Sequence, residues 1–447
     1  MKYLINFICF LLIQFLYSPA LQSANLPDNE SIPDETLGCT TILVGKNASA
    51  DGSVIMGHNE DMGDLSGRLI FQLAQTNQEK EIKVNYVTIP QVSKTYHYWV
   101  SGNSTPVAER HYDGGWILCG MNQWGVSFGC NTMSTREIPI PKGKGILRYS
   151  IRQLILERSK TAKDAVKLIG HLVDKYGQSD SPVAYCIADQ NEAWLVETTY
   201  RHWVARRIPD DGFHVETNEY SIETHWDIAS DDLVGYASHQ GWYDPEKGPF
   251  NFKYAYGNPK HLDHPRNTSR RFQGNYMLKN IVGSITVKNI LYILSQPPIQ
   301  TTATQAFMMW HLRSNIPREI GCVMWHGMSG ANTSIAVPIY VGSSKVPREY
   351  TNASYTEDSE SAWWQFERLQ KQLYPRWWEY SPTYFDVRKQ LTKFQELVFK
   401  ENAAVEETAI KLWKQGKTRK AKELLSTHTY KMLEQALKQA ADTLSKD

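Results

Sequence analysis

The chain has 447 residues, of which 41% are hydrophobic and 21% charged, a composition typical of a globular protein with one large domain and an extension. Its formal net charge is +1, so charge gives no basis for binding nucleic acid or an anionic membrane surface. We therefore expect neither nucleic acid nor a membrane surface as a partner. The function has to be inferred from individual residues and motifs.

The N-terminus has the pattern of a secretory signal peptide. Lys2 gives a positive start, residues 4–17 form an apolar run too short for a membrane span, and residues 18–20 form a small-x-small cleavage signal. We therefore predict a signal peptide over residues 1–20 and a secreted, periplasmic or lysosomal protein rather than a cytoplasmic one. Residues 21–38 are polar with two prolines, and they predict a leader, or propeptide.

The next segment predicts a β-hairpin with a cysteine at its start. "CTTILV" indicates a buried strand, "GKNASADG" a turn and "SVIMGH" a second strand. A hairpin centred near residue 49 would place Cys39 opposite Asn59, within reach of residues 58–61. The spacing thus predicts a small polar cluster around the cysteine.

The rest of the chain alternates between strands and helices. Strands are predicted within residues 115–133, 183–220, 323–328 and 335–342, and helices at 146–159, at 161–177 with Thr161 as N-cap, and from 362 onward. Hairpins, two helices, more strands and then helices suit antiparallel sheets covered by helices, which is the α+β class.

Cysteine usage leaves one thiol to explain. Six cysteines are present and Cys9 falls in the signal peptide, which leaves five, an odd number for an oxidising compartment. None of them has C-x-x-C or zinc-site spacing. Cys39 therefore has three open interpretations: a disulfide partner, a core residue or a catalytic nucleophile.

Cleavage after Gly38 would change the chemistry of Cys39. The new N-terminal residue would carry both a thiol and a free α-amine, whose reference pKa of about 7.7–8.0 suits it to accept the thiol proton near neutral pH. Gly38 favours such a cut, because a residue without Cβ lets the thiol approach its carbonyl closely.

Several motifs together resemble one family. The run "CTTILVGKNASADGSVIMGHNED" is similar to the start of the cysteine-dependent dipeptidases of the N-terminal nucleophile (Ntn) hydrolase superfamily, the family that includes the secernins. "GMNQWGVSFG", "ADQNEAWLVET", "RSNIPREIG" and "AWWQFERL" resemble family segments in the same order. The resemblance implies an αββα sandwich over residues 39–360, a helical C-terminal extension over 361–447, and no metal or organic cofactor.

The resemblance also implies roles for individual residues. They are Cys39 as nucleophile, Asp61 as partner of the new α-amine, Asn131 and Asn218 as oxyanion or amine contacts, and Arg271, or its neighbour Arg270, as an arginine that favours the thiolate. From the residues alone, the two asparagines could instead shape turns at strand ends, and the aspartate could cap a loop.

One position departs from the family pattern. Relatives usually carry an arginine three residues before the aspartate, and His58 stands there in this chain. A protonated histidine can donate to a thiolate, but its charge fades through about pH 6–7. This departure indicates an acidic working pH.

The resemblance implies a cysteine dipeptidase that matures by self-cleavage between Gly38 and Cys39. Its expected partner is a dipeptide or another small amide, and the fold also allows a homo-oligomer. Two alternatives stay open. One is a linear-amide acylase acting on penicillin V-like or bile-salt-like amides, and the other is a non-catalytic, secernin-like protein in which Cys39 stays uncut as a core thiol.

Overall fold

The computed structural model describes residues 38–63, 65–104, 115–354, 356–376 and 379–444. The predicted signal peptide and residues 21–37 of the predicted leader lie outside them. No helix among the described residues is long and apolar enough to cross a membrane. The predicted boundaries of the catalytic domain and the extension stay predictions.

The described part of the chain forms sixteen strands. They are β1 Thr40–Val44, β2 Val54–Asp61, β3 Gly67–Gln72, β4 Glu81–Val84, β5 Val87–Pro90, β6 Tyr98–Ser104, β7 Gly115–Asn122, β8 Ser127–Thr132, β9 Val183–Ala188, β10 Ala193–Thr198, β11 Trp203–Arg207, β12 Phe213–Glu216, β13 Ile228–Ala229, β14 Thr304–Leu312, β15 Cys322–Met328 and β16 Val337–Tyr340. One sheet has the order β12-β1-β2-β14-β15-β16, and the other has the order β13-β11-β10-β9-β8-β7-β6-β3. β4 and β5 form a separate pair.

The described residues form eleven α-helices, several of which pack on the two sheets. They are α1 Arg148–Arg158, α2 Ala162–Tyr176, α3 Leu233–His239, α4 Phe252–Tyr256, α5 Pro265–Leu278, α6 Val287–Leu294, α7 Arg318–Gly321, α8 Arg348–Thr351, α9 Ala362–Leu373, α10 Tyr384–Lys414 and α11 Thr418–Leu444. α1 and α2 pack on β7, β9 and β10, whereas α5, α6, α9 and α11 pack on strands of the first sheet. The sheets face each other through β1 and β2 on one side and β8 to β10 on the other. The predicted αββα sandwich with C-terminal helices is confirmed.

Local sequence signals set the start of α2 and the turn between β7 and β8. Thr161 caps α2 by accepting a hydrogen bond from the Asp164 N–H at 3.0 Å, and the Asp164 side chain accepts from the Thr161 N–H in return. The predicted N-cap is therefore confirmed. The predicted turn between β7 and β8 is also present, with Asn122 Oδ1 accepting from the backbone N–H groups of Trp124 and Val126.

The β1–β2 hairpin differs from the predicted register by one residue. Thr40 pairs with Asn59, so the next position along β2, Glu60, comes opposite Cys39. The turn holds one residue more than predicted and is closed by Ser49 Oγ, whose one proton has the Ser53 carbonyl at 2.7 Å and the Lys46 carbonyl at 3.0 Å as acceptors. Because side chains alternate between faces, this shift directs Asn59 away from the thiol, where its amide donates to Leu294 O at 2.9 Å.

Candidate active site

Cys39 lies just before β1, between the two sheets, with 5% of its surface exposed. Its Sγ donates to Glu60 Oε1 at 3.4 Å. Burial raises the pKa of the Cys39 thiol well above its usual value, and the negative charges of Glu60 and Asp61 raise it further. In the chain that still carries Gly38, the thiol is therefore protonated, and its proton is directed at a carboxylate.

Asp61 ends β2 and is buried, with an unused acceptor. Its Oδ1 accepts a hydrogen bond from Thr304 Oγ1 at 2.7 Å, whereas Oδ2 has no hydrogen-bond partner among the described residues. Burial raises the pKa of Asp61 to about 7. A buried carboxylate oxygen without a donor is unfavourable, so this side chain has capacity for one more hydrogen bond.

Asn131 reaches the backbone of Cys39 from the opposite sheet. It lies in β8, is fully buried, and its Nδ2 donates to the Cys39 carbonyl at 2.7 Å. Its Oδ1 accepts from Thr41 Oγ1 at 2.6 Å, which fixes the orientation of the amide. The hairpin strand and β8 thus hold Asn131 beside the cysteine, as its predicted role requires.

Arg270, and not Arg271, contacts the cysteine. From α5, Arg270 Nη1 donates to the carbonyl oxygens of Gly38 at 2.5 Å and of Cys39 at 2.6 Å. Burial lowers the pKa of Arg270 to about 10, which leaves it charged at neutral pH. The guanidinium therefore provides a buried positive charge at the peptide that joins Gly38 to Cys39.

Of the two arginines named from the sequence, Arg271 has other contacts. Arg271 donates instead to Thr217 Oγ1 at 3.2 Å and to the Glu219 carbonyl at 2.8 Å. Successive residues of an α-helix point about 100° apart, so only one of two adjacent arginines can face the hairpin.

Asn218 and Gly38 meet at the same arginine. Asn218 Oδ1 accepts from Arg270 Nη2 at 3.0 Å, and its Nδ2 donates to the Thr132 carbonyl at 3.0 Å. Gly38 has φ of 152°, and a Cβ added there would lie 2.8 Å from Asn218 Oδ1. Both the backbone conformation and the available space therefore favour glycine at the residue before the cysteine.

His58 and Glu60 form a buried pair that the motifs did not predict as a unit. His58 Nε2 lies 3.1 Å from Glu60 Oε2, and His58 Nδ1 lies 2.7 Å from Thr41 Oγ1. Burial would raise the pKa of Glu60, but the hydrogen bond and charge of His58 and the charge of Arg152 outweigh it and hold that pKa below its usual value. Glu60 is thus a carboxylate that faces the thiol. Strand alternation could have placed it with His58, but only the correct register places it opposite Cys39.

Cys39 and the His58–Glu60 pair together form a group of side chains that could hold a metal ion. One ligand atom each of Cys39, His58 and Glu60 lies within 4.8 Å of the others, and this is the one such group of three among the described residues.

The structure brings the predicted site residues Cys39, Asp61, Asn131 and Asn218 to this region, together with Arg270 rather than Arg271.

The solved structures to which the chain is similar include an acylase and a bile acid hydrolase. Penicillin V acylase from Agrobacterium tumefaciens matches with a TM-score of 0.41 and 15% identity, over 68% of this chain and 86% of that one. A mutant of conjugated bile acid hydrolase from Clostridium perfringens matches with a TM-score of 0.40 and 14% identity, over 71% of this chain and 95% of that one.

By sequence, the chain is similar to bacterial proteins named as dipeptidases. The probable dipeptidase A of Streptococcus pyogenes serotype M3 (strain SSI-1) is 24% identical over 386 residues, 73% of this chain and 81% of that protein. The probable dipeptidase of Latilactobacillus sakei is 25% identical over 417 residues, 80% of this chain and 86% of that protein. The model of peptidase family C69 matches residues 38–297 and 276–390. Because the family model begins at Gly38, beside the buried thiol, and spans most of the chain, the protein belongs to peptidase family C69 and is a hydrolase of peptide bonds.

Proposed function

We propose that the protein is a cysteine dipeptidase whose nucleophile is the thiol of Cys39, freed as the N-terminal residue by self-cleavage after Gly38. The observation that carries this proposal is the position of Arg270. Its Nη1 donates to the carbonyl oxygen of Gly38, which belongs to the peptide bond that has to be cut. The names of the sequence relatives support the dipeptide as substrate class.

In the proposed self-cleavage, the thiol of Cys39 adds to the carbonyl carbon of Gly38. Its proton passes to Glu60 Oε1, the acceptor 3.4 Å from Sγ, and the oxyanion is stabilised by Arg270. The C–N bond then breaks, the departing nitrogen takes up a proton, and the Gly38 acyl group remains on Sγ as a thioester. Water hydrolyses the thioester and leaves Cys39 with a free α-amine.

The new amine would complete an unfinished set of contacts. Asp61 Oδ2 has no donor among the described residues, and it would accept a hydrogen bond from the amine. The amine in turn is the general base that takes the proton of the Cys39 thiol. Maturation would therefore convert a protonated thiol into a nucleophile.

Dipeptide hydrolysis would repeat the same chemistry on an incoming substrate. The thiolate attacks the peptide carbonyl, the second amino acid leaves, and water releases the first from the thioester. Arg270, which donates to the Gly38 carbonyl in the uncut chain, and Asn218, which accepts from Arg270, are then available to contact substrate in place of Gly38. Asn131, which is oriented by Thr41, supplies a further amide donor beside the reacting sulfur.

The proposal also places maturation outside the cytoplasm. Residues 1–20 have the pattern of a signal peptide and residues 21–38 that of a leader, so export would precede or accompany the cut. Neither cleavage requires a cofactor in this scheme.

The substrate class is tested by a matched panel of amides. We expect the mature protein to hydrolyse free dipeptides and to act much less on the same dipeptides after N-acetylation and on penicillin V. The measurement is the release of amino acid or side-chain acid, quantified by chromatography. A protein that begins at Cys39 but prefers penicillin V would be an acylase, and one that cuts none of these amides would contradict the proposal.

Arg270→Ala is expected to slow cleavage after Gly38 by roughly 10²–10³-fold, because it removes a charged donor from a developing oxyanion. Arg271→Ala is the matched control, since the adjacent residue contacts Thr217 and Glu219 instead and should have a much smaller effect. Intact mass during expression gives the fraction cut over time. Equal slowing in the two variants would show that the helix, rather than the Arg270 contact, matters.

A further inference from the structure

His58 gives the cluster around the thiol the composition of a metal site. Cys39, His58 and Glu60 supply a sulfur, an imidazole nitrogen and a carboxylate oxygen, and all three residues are buried. Zn²⁺ binds this set of ligand types, and a site with three protein ligands leaves its fourth position open. An arginine at position 58 would offer no lone pair and would place a fixed positive charge there.

The ligand atoms of the cluster lie close to the spacing that a tetrahedral ion requires. With Zn–S near 2.3 Å and Zn–N or Zn–O near 2.0–2.1 Å, neighbouring ligand atoms lie roughly 3.3–3.6 Å apart. The Cys39 Sγ to Glu60 Oε1 distance is 3.4 Å, and the His58 Nε2 to Glu60 Oε2 distance is 3.1 Å. Small movements of three side chains would therefore bring one oxygen of Glu60, the sulfur and the nitrogen around one ion.

A hydrogen-bond chain presents the correct nitrogen of His58. Asn131 Nδ2 donates to the Cys39 carbonyl, so Asn131 Oδ1 is the acceptor for the one hydroxyl proton of Thr41. Thr41 Oγ1 must then accept from His58 Nδ1–H. This fixes Nε2 as the nitrogen that faces Glu60, and it is the partner arrangement typical of histidines that bind metals.

We propose that Cys39, His58 and Glu60 bind Zn²⁺, or another divalent cation with affinity for thiolate and imidazole, and that this ion reversibly blocks the nucleophile. On binding, the thiol proton and any proton on Nε2 pass to solvent, and the sulfur lone pair is engaged by the ion. Arg152 and Arg270 are positive charges near the cluster, and the thiolate and Glu60 offset them. The binding step does not depend on the proposed function, whereas the inhibition rests on it.

Cobalt titration of the purified full chain tests the binding step. We expect one Co²⁺ per chain, with the thiolate-to-cobalt absorption band in the near ultraviolet, and displacement of the cobalt by Zn²⁺. His58→Gln and His58→Arg should each weaken binding at least about tenfold, and Cys39→Ser should remove the band. His311→Gln is the matched control, because His311 forms a similar pair with Asp51 at 2.7 Å but in a group without a thiol.

The outcomes separate this inference from the proposed function. Absence of the band in the wild-type protein, or binding that persists in both His58 variants, would overturn the metal site. Because absorbance and equilibrium dialysis do not need catalysis, a protein without dipeptidase activity still reports on binding. Zn²⁺ that binds with the expected dependence on His58 but leaves peptide hydrolysis unchanged would overturn the inhibition alone.

Discussion

Replacement of Cys39 by alanine is expected to leave the chain joined after Gly38 and to lower dipeptide hydrolysis by roughly four or more orders of magnitude. Loss of a catalytic nucleophile has effects of this size in hydrolases that form acyl intermediates. In this chain the same sulfur would also perform the self-cleavage, so one substitution should remove both reactions. Intact mass and N-terminal sequencing measure the first, and a dipeptide assay the second.

Cys322→Ala is the matched control for this substitution. Cys322 is also buried and outside any disulfide, but it begins β15, which β14 separates from β2. The Cys322→Ala variant should therefore be cut after Gly38 and stay active. If wild type and Cys39→Ala both begin near residue 21, the self-cleavage mechanism is wrong and Cys39 is a core residue. If both begin directly after Gly38, another protease makes the cut, and activity alone then decides the role of the thiol.

The sequence predicted the fold best where local patterns are strong. The N-terminal hairpin, the capped helix α2 and the C-terminal helices all follow from periodicity and capping residues. The central strand β14 was not predicted. Its residues, TQAFMMWHL, are almost all buried, because β14 lies between β2 and β15 and is covered on both faces. A continuous apolar run of this kind does not distinguish a buried strand from a buried helix.

The parts of the site that could not be predicted depend on register and rotation. A shift of one residue in the hairpin decides whether Asn59 or Glu60 faces Cys39, and the length of the turn sets that shift. The direction in which a helix presents its side chains decides between Arg270 and Arg271. The resemblance identified candidate residues along the chain. Neither the register of the hairpin nor the rotation of the helix can be predicted from the spacing of those residues. The catalytic roles of these residues stay predictions.

Asp61→Asn is expected to stabilise the uncut chain at neutral pH. Burial raises the pKa of Asp61 to about 7 from a usual value near 3.8. Between these two values the folded chain keeps a proton that the unfolded chain has lost, so Asp61 reduces stability as pH rises through this window. Asparagine does not titrate. In a Cys39→Ala background, the free energy of unfolding of the Asp61→Asn variant should therefore rise relative to that of the chain with Asp61, by about 2–3 kcal/mol from pH 5 to pH 8.

Urea unfolding at the two pH values measures this advantage, with Asp51→Asn as a control of opposite sign. Burial would raise the pKa of Asp51, but the hydrogen bond and charge of His311 outweigh it and lower that pKa. The Asp51 carboxylate therefore stabilises the fold above its usual pKa, and asparagine there should be destabilising at neutral pH. An Asp61→Asn advantage that does not change with pH would contradict the raised pKa.

The same Asp61→Asn substitution is expected to reduce the activity of the mature enzyme, by roughly 10²-fold, because the asparagine would lack the charge that holds and orients the α-amine of Cys39 as general base. A carboxylate that is unfavourable before the cut would thus be retained for a partner that only the cut creates, which is the stability–activity trade-off common at active sites. The measurement is kcat on a preferred dipeptide for protein confirmed by mass to begin at Cys39. If the matured variant keeps full activity across the pH range, Asp61 does not serve the amine, and its unpaired oxygen requires another explanation.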